Sequence, residues 1–380
     1  MLKRTLVVVF LLVMIGMLHL SPDTITIAHA NDNDFTRVDG ELRGGSFSLF
    51  RPDDWNGDLV LLVHGDATDL FEALTPDLIS KGFGVAFATQ PPDLGEVAAL
   101  KEITISTRIV QEEFAAHFGK PNRTYLYGVS RGGHNMAKLL ETSPERYDGV
   151  FTVCGGNGGS QLQWDYFFTA RVLFDYFFPD VLPGDPLSMP ALDPDSFFND
   201  VAPDIVAAIT MNPAAAQEMA AVDQYDLQYN DSNELTDGIV QSLVVHSIGV
   251  NDMIIFANGN PFDNTQTVYT GTNDDNALNA GIVRLGADPQ ARQKLHVWYE
   301  PNGSIGGTPV LVLHTSRDPF VPELAINNKY EALVQSTGNA DFLVRRVVDR
   351  FGHCTFSNEE LANHFSDLVT WVETGVRPSP

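Results

Sequence analysis

Residues 128–132 read Gly-Val-Ser-Arg-Gly, the G-x-S-x-G pattern of a turn that lifts a serine hydroxyl above a sheet. Residues 123–127 before it are β-prone and partly alternating, and residues 133–141 after it have helical spacing. A strand, a sharp turn and a helix are what such a nucleophile elbow requires. The glycines at 128 and 132 remove Cβ atoms that would clash where strand and helix close on each other. The pattern predicts that Ser130 is a catalytic nucleophile.

A serine hydroxyl is a weak nucleophile until a base takes its proton, and the base needs a third group to orient it. With this type of elbow the chain order is serine, acid, histidine. The apolar residues 309–314 predict a buried parallel strand, and Asp318 lies in the loop after it, where open α/β sheets place their sites. Residues 342–348 predict the last strand, and His353 follows it. The sequence therefore predicts Asp318 as the acid and His353 as the base.

Each of these two assignments has an alternative. Asp318 precedes a proline, and Asp-Pro is a common turn pair, so this residue could serve only the turn. Asp349 is a rival acid, although it would have to reach back along the loop that carries His353. His353 could be a structural loop histidine, but of the histidines near predicted strand ends or the elbow it alone lies after the acid and past the last strand. The other histidines near predicted strand ends or the elbow are His64, His134 and His314.

The developing alkoxide of an acyl transfer needs two N–H donors. One donor is predicted to be the backbone N–H of Arg131, which follows the nucleophile. The other is expected from the loop after the early apolar strand at residues 59–64, with the N–H of Asp66 as the first candidate and that of Ala67 as the second. The alternative is a plain junction between a strand and a turn.

Four motifs follow one another along the chain: a strand ending in His64-Gly65, the elbow at residues 128–132, a strand followed by Asp318, and a strand followed by His353. In this order they resemble those of the α/β-hydrolase family, over about residues 42–372 and with one long insertion. The resemblance implies a serine hydrolase, without indicating the substrate. The Ser-Arg-Gly-Gly run and the pair His353-Cys354 are also similar to the tannase and feruloyl-esterase branch. In that branch a cysteine next to the serine is bonded to the one after the histidine, whereas Val129 precedes the serine here.

The expected fold is an α/β-hydrolase, a mostly parallel, doubly wound sheet with a large, mainly helical cap inserted after the strand that follows the nucleophile helix. The predicted divisions are a signal peptide at 1–30, the first part of the core at 31–154, the cap at 155–307 and the second part of the core at 308–380. Helices are predicted in the cap at residues 162–178, 200–211, 214–222, 235–248, 276–285 and 289–299.

The first residues have the features of a secretory signal. Lys3 and Arg4 precede the apolar residues 6–20, and Ala-His-Ala at 28–30 is an A-x-A cleavage site. The mature chain is therefore predicted to begin at Asn31, in a secreted or periplasmic protein. The alternative is an uncleaved membrane anchor, but the apolar run is shorter than the roughly 20 residues that a spanning helix needs. Stable membrane insertion after cleavage is not expected.

The charge balance argues against some partners. Asp and Glu number 49 against 23 Lys and Arg, which gives a formal net charge of −26. Nucleic acids and anionic lipid surfaces are disfavoured, because binding them needs basic patches. The simplest interpretation of the charge is solubility.

The chain has two cysteines, Cys154 and Cys354. In an exported protein they could form one disulfide. In the usual strand order one strand separates them, about two spacings of roughly 4.8 Å, beyond the roughly 7 Å Cα limit unless the two loops converge. Both loops lie at the same sheet edge, so convergence is feasible. Two half-buried free thiols are the alternative.

Aromatic residues crowd the first predicted cap helix. They could wall an acyl or aryl pocket over Ser130, or form the cap's own core, which is the commoner role of such residues. Either way, an apolar cap favours an uncharged, hydrophobic substrate. The residues are Trp164, Tyr166, Phe167, Phe168, Phe174, Tyr176, Phe177 and Phe178.

The leading hypothesis is an exported serine hydrolase that cleaves small-molecule or polymeric carboxylic esters through an acyl-enzyme, with no metal or organic cofactor. The first alternative is a serine peptidase of the prolyl-peptidase type, which a pair of cap glutamates facing the site would favour. Glu218 and Glu234 are present but form no evident pair. The second alternative is a non-catalytic binding protein on a decayed hydrolase fold.

Overall fold

One sheet runs through the part of the chain that the computed structural model describes, residues 25–29, 34–42, 45–63, 68–89 and 96–380. Its strands are β1 (Ile25–His29), β2 (Phe35–Leu42), β3 (Gly45–Pro52), β4 (Asp58–Val63), β5 (Gly84–Thr89), β6 (Arg123–Val129), β7 (Gly149–Val153), β8 (Val310–Arg317) and β9 (Leu343–Phe351). The helices are α1 (Thr68–Ser80), α2 (Glu96–Phe118), α3 (Arg131–Thr142), α4 (Ser160–Phe177), α5 (Pro194–Ser196), α6 (Ala202–Met211), α7 (Pro213–Ala220), α8 (Ser232–Ala257), α9 (Asp275–Gly281), α10 (Pro289–Trp298), α11 (Glu323–Ser336) and α12 (Asn358–Thr374).

The sheet is mostly parallel, as predicted. Its order is β1-β2-β3-β5-β4-β6-β7-β8-β9. Strands β1, β2, β3 and β5 pair antiparallel in that order, and every neighbouring pair from β5 to β9 is parallel. The carboxyl ends of β6, β7, β8 and β9 therefore meet at one edge, which is where the predicted site residues begin.

Alternate side chains of the strands enter two apolar layers, one on each face of the sheet. In β6, Leu126 packs with residues of α2, α3 and α11, whereas Tyr125 and Tyr127 pack with residues of α1 and α12. Such two-sided cover is why these strands are almost wholly buried. The sheet is doubly wound, and the predicted fold class is confirmed.

The insertion forms a helical layer with its own apolar cluster, distinct from the two clusters of the sheet. All six helices predicted there are present, with shifted ends. The long central helix α8 begins where the Asp231 side chain accepts hydrogen bonds from two first-turn N–H groups. It ends at Asn258, which has a left-handed backbone (φ 59°). Among the described residues, α8 is long and apolar enough to cross a membrane, but over half of its apolar window is buried within the protein.

Candidate active site

The serine predicted as nucleophile lies on a strained turn between β6 and α3. Ser130 has a φ of 53° and a ψ of −118°, a conformation that side-chain-bearing residues rarely adopt. Its N–H donates to the carbonyl oxygen of Val153 on the neighbouring strand β7 (2.8 Å). The turn holds the serine at the carboxyl edge of the sheet.

Close packing explains why glycines surround this serine. A Cβ on Gly128 would lie 2.5 Å from Met136 Sδ and 2.7 Å from the carbonyl carbon of Gly132. A Cβ on Gly133 would lie 2.6 Å from the Cα of Gly155. Gly133, which the elbow pattern did not single out, thus lets α3 approach the chain after β7.

Three of the predicted residues form one hydrogen-bonded chain. Ser130 Oγ lies 2.7 Å from His353 Nε2, and His353 Nδ1 lies 2.8 Å from Asp318 Oδ2. The His353 side chain is 17% exposed and that of Asp318 is fully buried. This is the geometry in which a base can take the serine proton while a carboxylate orients the imidazole.

The Asp318 carboxylate is held from several sides. Its Oδ1 accepts the backbone N–H groups of Phe320 (2.9 Å) and Val321 (3.0 Å). Burial alone would raise the pKa of Asp318, but the hydrogen bonds and charges of His353 and His314 outweigh burial and lower that pKa below its ordinary value. The carboxylate is therefore ionised at neutral pH.

The rival residues lie elsewhere or serve other contacts. Asp349 is 88% exposed and pairs with Arg317 and with Ser316 Oγ. His134 is buried, and its Nε2 lies 3.1 Å from Ser160 Oγ. Burial lowers the pKa of His134 to about 4, an effect that a hydrogen bond to the Gly156 backbone only partly offsets. His134 is therefore neutral.

One half of the predicted oxyanion hole can be described. Arg131 begins α3, directly after Ser130, so its backbone N–H lies next to the nucleophile. Asp66, with Ala67 and His64, lies outside the described residues.

The two cysteines are joined in a disulfide, with their Cα atoms 5.6 Å apart. The loops after β7 and β9 converge because Cys154 (φ 47°) and Cys354 (φ 52°) both have left-handed backbones that turn the chain. Cys154 follows Val153, which is the β7 partner of Val129, the residue before the serine. The bond thus joins the nucleophile's neighbouring strand to the residue after His353.

The sulfurs of this bond also account for a cluster that resembles a metal site. Among the described residues, Cys154, His353 and Cys354 place ligand atoms within 4.8 Å of one another. A metal would need thiolates, and these sulfurs are bonded to each other.

A cavity of about 110 Å³ opens beside Ser130 and His353. One face of α4 forms a wall, through Ser160, Gln163 and Trp164 and, one turn on, Phe167. The remaining lining residues in the described part of the chain are Arg131, His134, Gly156, Val245, Phe320 and Val321.

The aromatic residues of α4 divide between two roles. Trp164 and Phe167 line the cavity, while Phe168 and Phe174 are fully buried in the cap's apolar cluster. The Phe320 ring stacks on the His353 ring, with centroids 5.0 Å apart. The cavity wall is therefore mostly apolar and aromatic close to the base.

Besides Ser130 and His353, the polar side chains of the wall are those of Arg131, His134, Ser160 and Gln163. The Gln163 amide donates to the Phe320 carbonyl oxygen (2.8 Å), and its Oε1 is buried with no partner among the described residues. No acidic residue lines the described part of the cavity. Glu218 accepts a bond from Asn273, and Glu234 pairs with Arg317, so neither glutamate faces the site.

Sequence reasoning did not identify the residues behind the site. His314 was considered only as a rival base, because it lies in a strand, where a residue four positions on is not a neighbour unless the chain turns. Asn157 and Asn327 gave no signal, because they are 170 residues apart in the chain and meet only after folding.

No family model matches the chain. The o-phthalyl amidase of Xanthobacter agilis is 23% identical over 409 aligned positions, which cover 91% of this chain and 89% of that protein. A crystal structure of an esterase from Aspergillus oryzae has a TM-score of 0.51 at 14% identity and covers 94% of this chain and 87% of its own. Feruloyl esterase B from Aspergillus oryzae has a TM-score of 0.47 at 15% identity, covering 94% and 88%. The esterase structure shows a shared fold.

Proposed function

From the α/β-hydrolase fold of this chain and the hydrogen-bonded chain at its sheet edge, we propose that it is a serine hydrolase that cleaves carboxylic esters through an acyl-enzyme. The observation that carries the proposal is the pair of contacts from Ser130 Oγ to His353 Nε2 (2.7 Å) and from His353 Nδ1 to Asp318 Oδ2 (2.8 Å).

Each residue then has a defined step. Ser130 Oγ attacks the ester carbonyl carbon while His353 Nε2 takes its proton, and Asp318 stabilises the imidazolium that forms. The N–H groups of Arg131 and Asp66 hold the oxyanion. His353 gives the proton to the leaving alcohol. Water then attacks the acyl-enzyme while His353 takes its proton, and His353 returns that proton to Ser130 Oγ as the acid leaves.

The cavity supports a small or flat acyl group. Its volume of about 110 Å³ is well below the roughly 300–1,000 Å³ of pockets that enclose drug-sized ligands. We infer that the acyl group enters between Trp164 and Phe320 while the alcohol stays outside. The apolar lining favours an uncharged acyl chain or ring.

Amide hydrolysis is the second candidate, because the o-phthalyl amidase, which is similar to this chain over most of its length, is an amidase. The same residues would serve, with His353 protonating a leaving amine instead of an alcohol. The prolyl-peptidase variant has less support, since Glu218 and Glu234 are engaged away from the cavity.

We also propose export, with cleavage after Ala30. The disulfide supports this proposal, because such bonds persist in oxidising compartments. Cleavage would remove β1, which lies at the edge of the sheet and pairs only with β2. The ladder between β2 and β3 would remain, so the rest of the sheet would keep its pairing. N-terminal sequencing of the mature protein tests the cut.

The test of the function is labelling with a fluorophosphonate probe, which reacts with activated serines. Wild type is expected to label and Ser130→Ala to lose the label, while Ser336→Ala, which changes an exposed serine at the end of α11, labels normally. p-Nitrophenyl esters of increasing acyl size and o-phthalyl and aminoacyl p-nitroanilides then separate the activities. If the protein hydrolyses the anilides but not the esters, it is an amidase and the esterase proposal is wrong. Folded wild type that does not label would refute the serine hydrolase.

A further inference from the structure

The Asp318 carboxylate is approached by a second histidine besides His353. His314 Nε2 lies 3.2 Å from Asp318 Oδ2 and 2.9 Å from the carbonyl oxygen of Val321. His353 Nδ1 lies 2.8 Å from the same Oδ2. The side chains of His314 and Asp318 are both fully buried. Two imidazoles therefore share the carboxylate oxygen that faces the proposed base.

The position of the His314 ring proton follows from the neighbours of its two nitrogens. Nε2 faces two acceptors, the Asp318 carboxylate and the Val321 carbonyl oxygen, so this nitrogen carries a proton. Nδ1 lies 3.1 Å from the side-chain Nδ2 of Asn327, which donates to it. His314 is then a donor toward Asp318 and the Val321 carbonyl.

The orientation of Asn327 is itself set by further buried groups. Its Oδ1 lies 3.3 Å from Asn157 Nδ2, and Asn157 Oδ1 lies 3.3 Å from Thr152 Oγ1. Thr152, Asn157, Asn327 and His314 are all at most 2% exposed. Every donor in this chain points the same way, and the chain ends on a carboxylate, which can only accept. Such head-to-tail bonds strengthen one another.

This chain of bonds connects the acid to the support of the nucleophile. Thr152 belongs to β7 and Asn327 to α11. A Cβ on Gly133, in the nucleophile helix α3, would lie 2.6 Å from Thr152 Oγ1. The polar chain thus links Thr152, which lies against the nucleophile helix, to the Asp318 carboxylate.

We propose that His314 is a positioning residue for the reaction, a second histidine that holds the Asp318 carboxylate toward His353 and withdraws part of its charge. The proposal rests on the proposed hydrolase function. Losing the His314 N–H would free the carboxylate to rotate and would leave more negative charge facing the His353 imidazolium. Turnover should fall, and more alkaline solution should be needed to free the base.

Other charged groups face His314 from the elements packed against it. Glu323 of α11 is 3% exposed and pairs with Arg345 of β9 (Nε–Oε1 3.1 Å). Arg345 also pairs with Glu331 (Nη1–Oε2 3.0 Å), so one cation serves two carboxylates. Asp318 differs from Glu323 in that its Oδ2 contacts both His314 Nε2 and the proposed base, His353.

The test compares His314→Leu, which removes the donor, with His314→Gln, whose amide can donate from the place of Nε2. His314→Leu is expected to lower kcat on a p-nitrophenyl ester about 10- to 100-fold, the effect of one lost bond to a charged group, with little change in KM. The acid limb of the kcat/KM profile should move up by about 0.5–1 pH unit. His314→Gln should recover most of both losses.

The matched control is His246→Leu, which removes an equally buried histidine from the cap. It should lower stability without moving the acid limb. Asn327→Leu removes the amide that donates to His314 Nδ1, so the ring proton is no longer held on Nε2. It provides a second variant if His314→Leu does not fold. If His314→Leu and His314→Gln lose the same amount of kcat and neither shifts the acid limb, His314 has only a structural role and the proposal is overturned.

An activity-independent measurement separates this proposal from the function itself. In ¹⁵N spectra of histidine-labelled wild type, His314 should be protonated on Nε2 and unprotonated on Nδ1. A protonated Nδ1 would overturn the proposal whether or not the protein hydrolyses esters. Absence of labelling at Ser130 would instead overturn the hydrolase function.

Discussion

The core and the cap both bury polar side chains, but they use them differently. In the core, four buried side chains from Thr152 to His314 lead donor by donor to Asp318, and each donor has an acceptor. In the cap, Arg171 and His246 are at most 1% exposed, yet neither lies in the wall of the cavity.

The polar groups of the cap fasten a loop. Arg171 pairs with Asp175 in its own helix, and its guanidinium nitrogens lie 3.4 Å from the carbonyl oxygens of Pro183 and Gly184. His246 Nε2 lies 2.9 Å from the Pro186 carbonyl oxygen. These contacts hold the irregular segment after α4 against α4 and α8.

Buried polar atoms without a hydrogen-bond partner occur in both regions. Within the described residues they include His246 Nδ1 and Ser247 Oγ in the cap and the hydroxyls of Tyr125 and Tyr127 in the core. The two buried histidines, His314 in the core and His246 in the cap, differ in how many of their ring nitrogens are hydrogen-bonded. His314 is bonded through both nitrogens, whereas His246 is bonded through one. The bonded histidine of the core leads to the acid, whereas the cap contributes Trp164 and Phe167 to the cavity wall.

The largest expected effect is a loss of activity on replacing Asp318, the proposed acid in the core. Asp318→Asn should lower kcat about 10,000-fold, because an amide no longer holds His353 in the tautomer that accepts the serine proton. Asp349→Asn, at the exposed rival acid, should retain activity, measured as initial rates on a p-nitrophenyl ester. Comparable losses in both variants would mean that the acid was assigned wrongly.

In the cap, the largest expected effect is on stability, through the packing of its apolar cluster. Phe168 is fully buried and stacks on Phe262, with centroids 4.9 Å apart. Phe168→Ala is expected to lower the free energy of unfolding by about 3–5 kcal/mol, because it leaves a cavity in the apolar cluster. Phe198→Ala, at a side chain 49% exposed, should cost less than about 1 kcal/mol in the same urea titration. Similar losses would show that the cap's core is not where the structure has it.

The smallest effect concerns acid stability. Burial, and after it the charge of Arg171, lowers the pKa of His246 from 6.5 to about 3. Between these values the unfolded state binds a proton that the folded state does not, so the stability supplied by the neutral ring is full above pH 6.5 and falls as pH falls. This group alone contributes a slope of about 1.4 kcal/mol per pH unit.

Removing the titrating ring should flatten that slope. His246→Gln retains an N–H for the Pro186 carbonyl but cannot take up the proton, so its free energy of unfolding should vary less between pH 6 and pH 4. His296→Gln, at an exposed residue of α10, should leave the wild-type slope. An unchanged slope in His246→Gln would show that this ring does not govern the acid sensitivity of the cap.

The fold and the three central residues could be predicted because their signals are local. Ser130, Asp318 and His353 each follow the end of a strand, and parallel strands end at one edge of the sheet. The cap helices could be predicted from helical spacing. Their ends could not, because helix termini depend on single capping contacts such as that of Asp231.

The polar chain behind the acid could not be predicted. Asn157 and Asn327 belong to different elements, and their roles arise from long-range packing. The disulfide was an open question because strand spacing alone places Cys154 and Cys354 too far apart. The left-handed backbones of the two cysteines, each just after the end of a different strand, bring the loops together. Nothing in the sequence predicts a left-handed backbone at either cysteine.

That disulfide has a topological consequence. Its cysteines are 200 residues apart, and the covalent ring they close contains the whole insertion together with Asp318 and His353. Ser130 lies outside the ring. A single protease cut anywhere in the cap would therefore yield a two-chain protein, with the nucleophile on one chain and the acid and base on the other. The pieces would travel as one species on a gel until a reductant separated them.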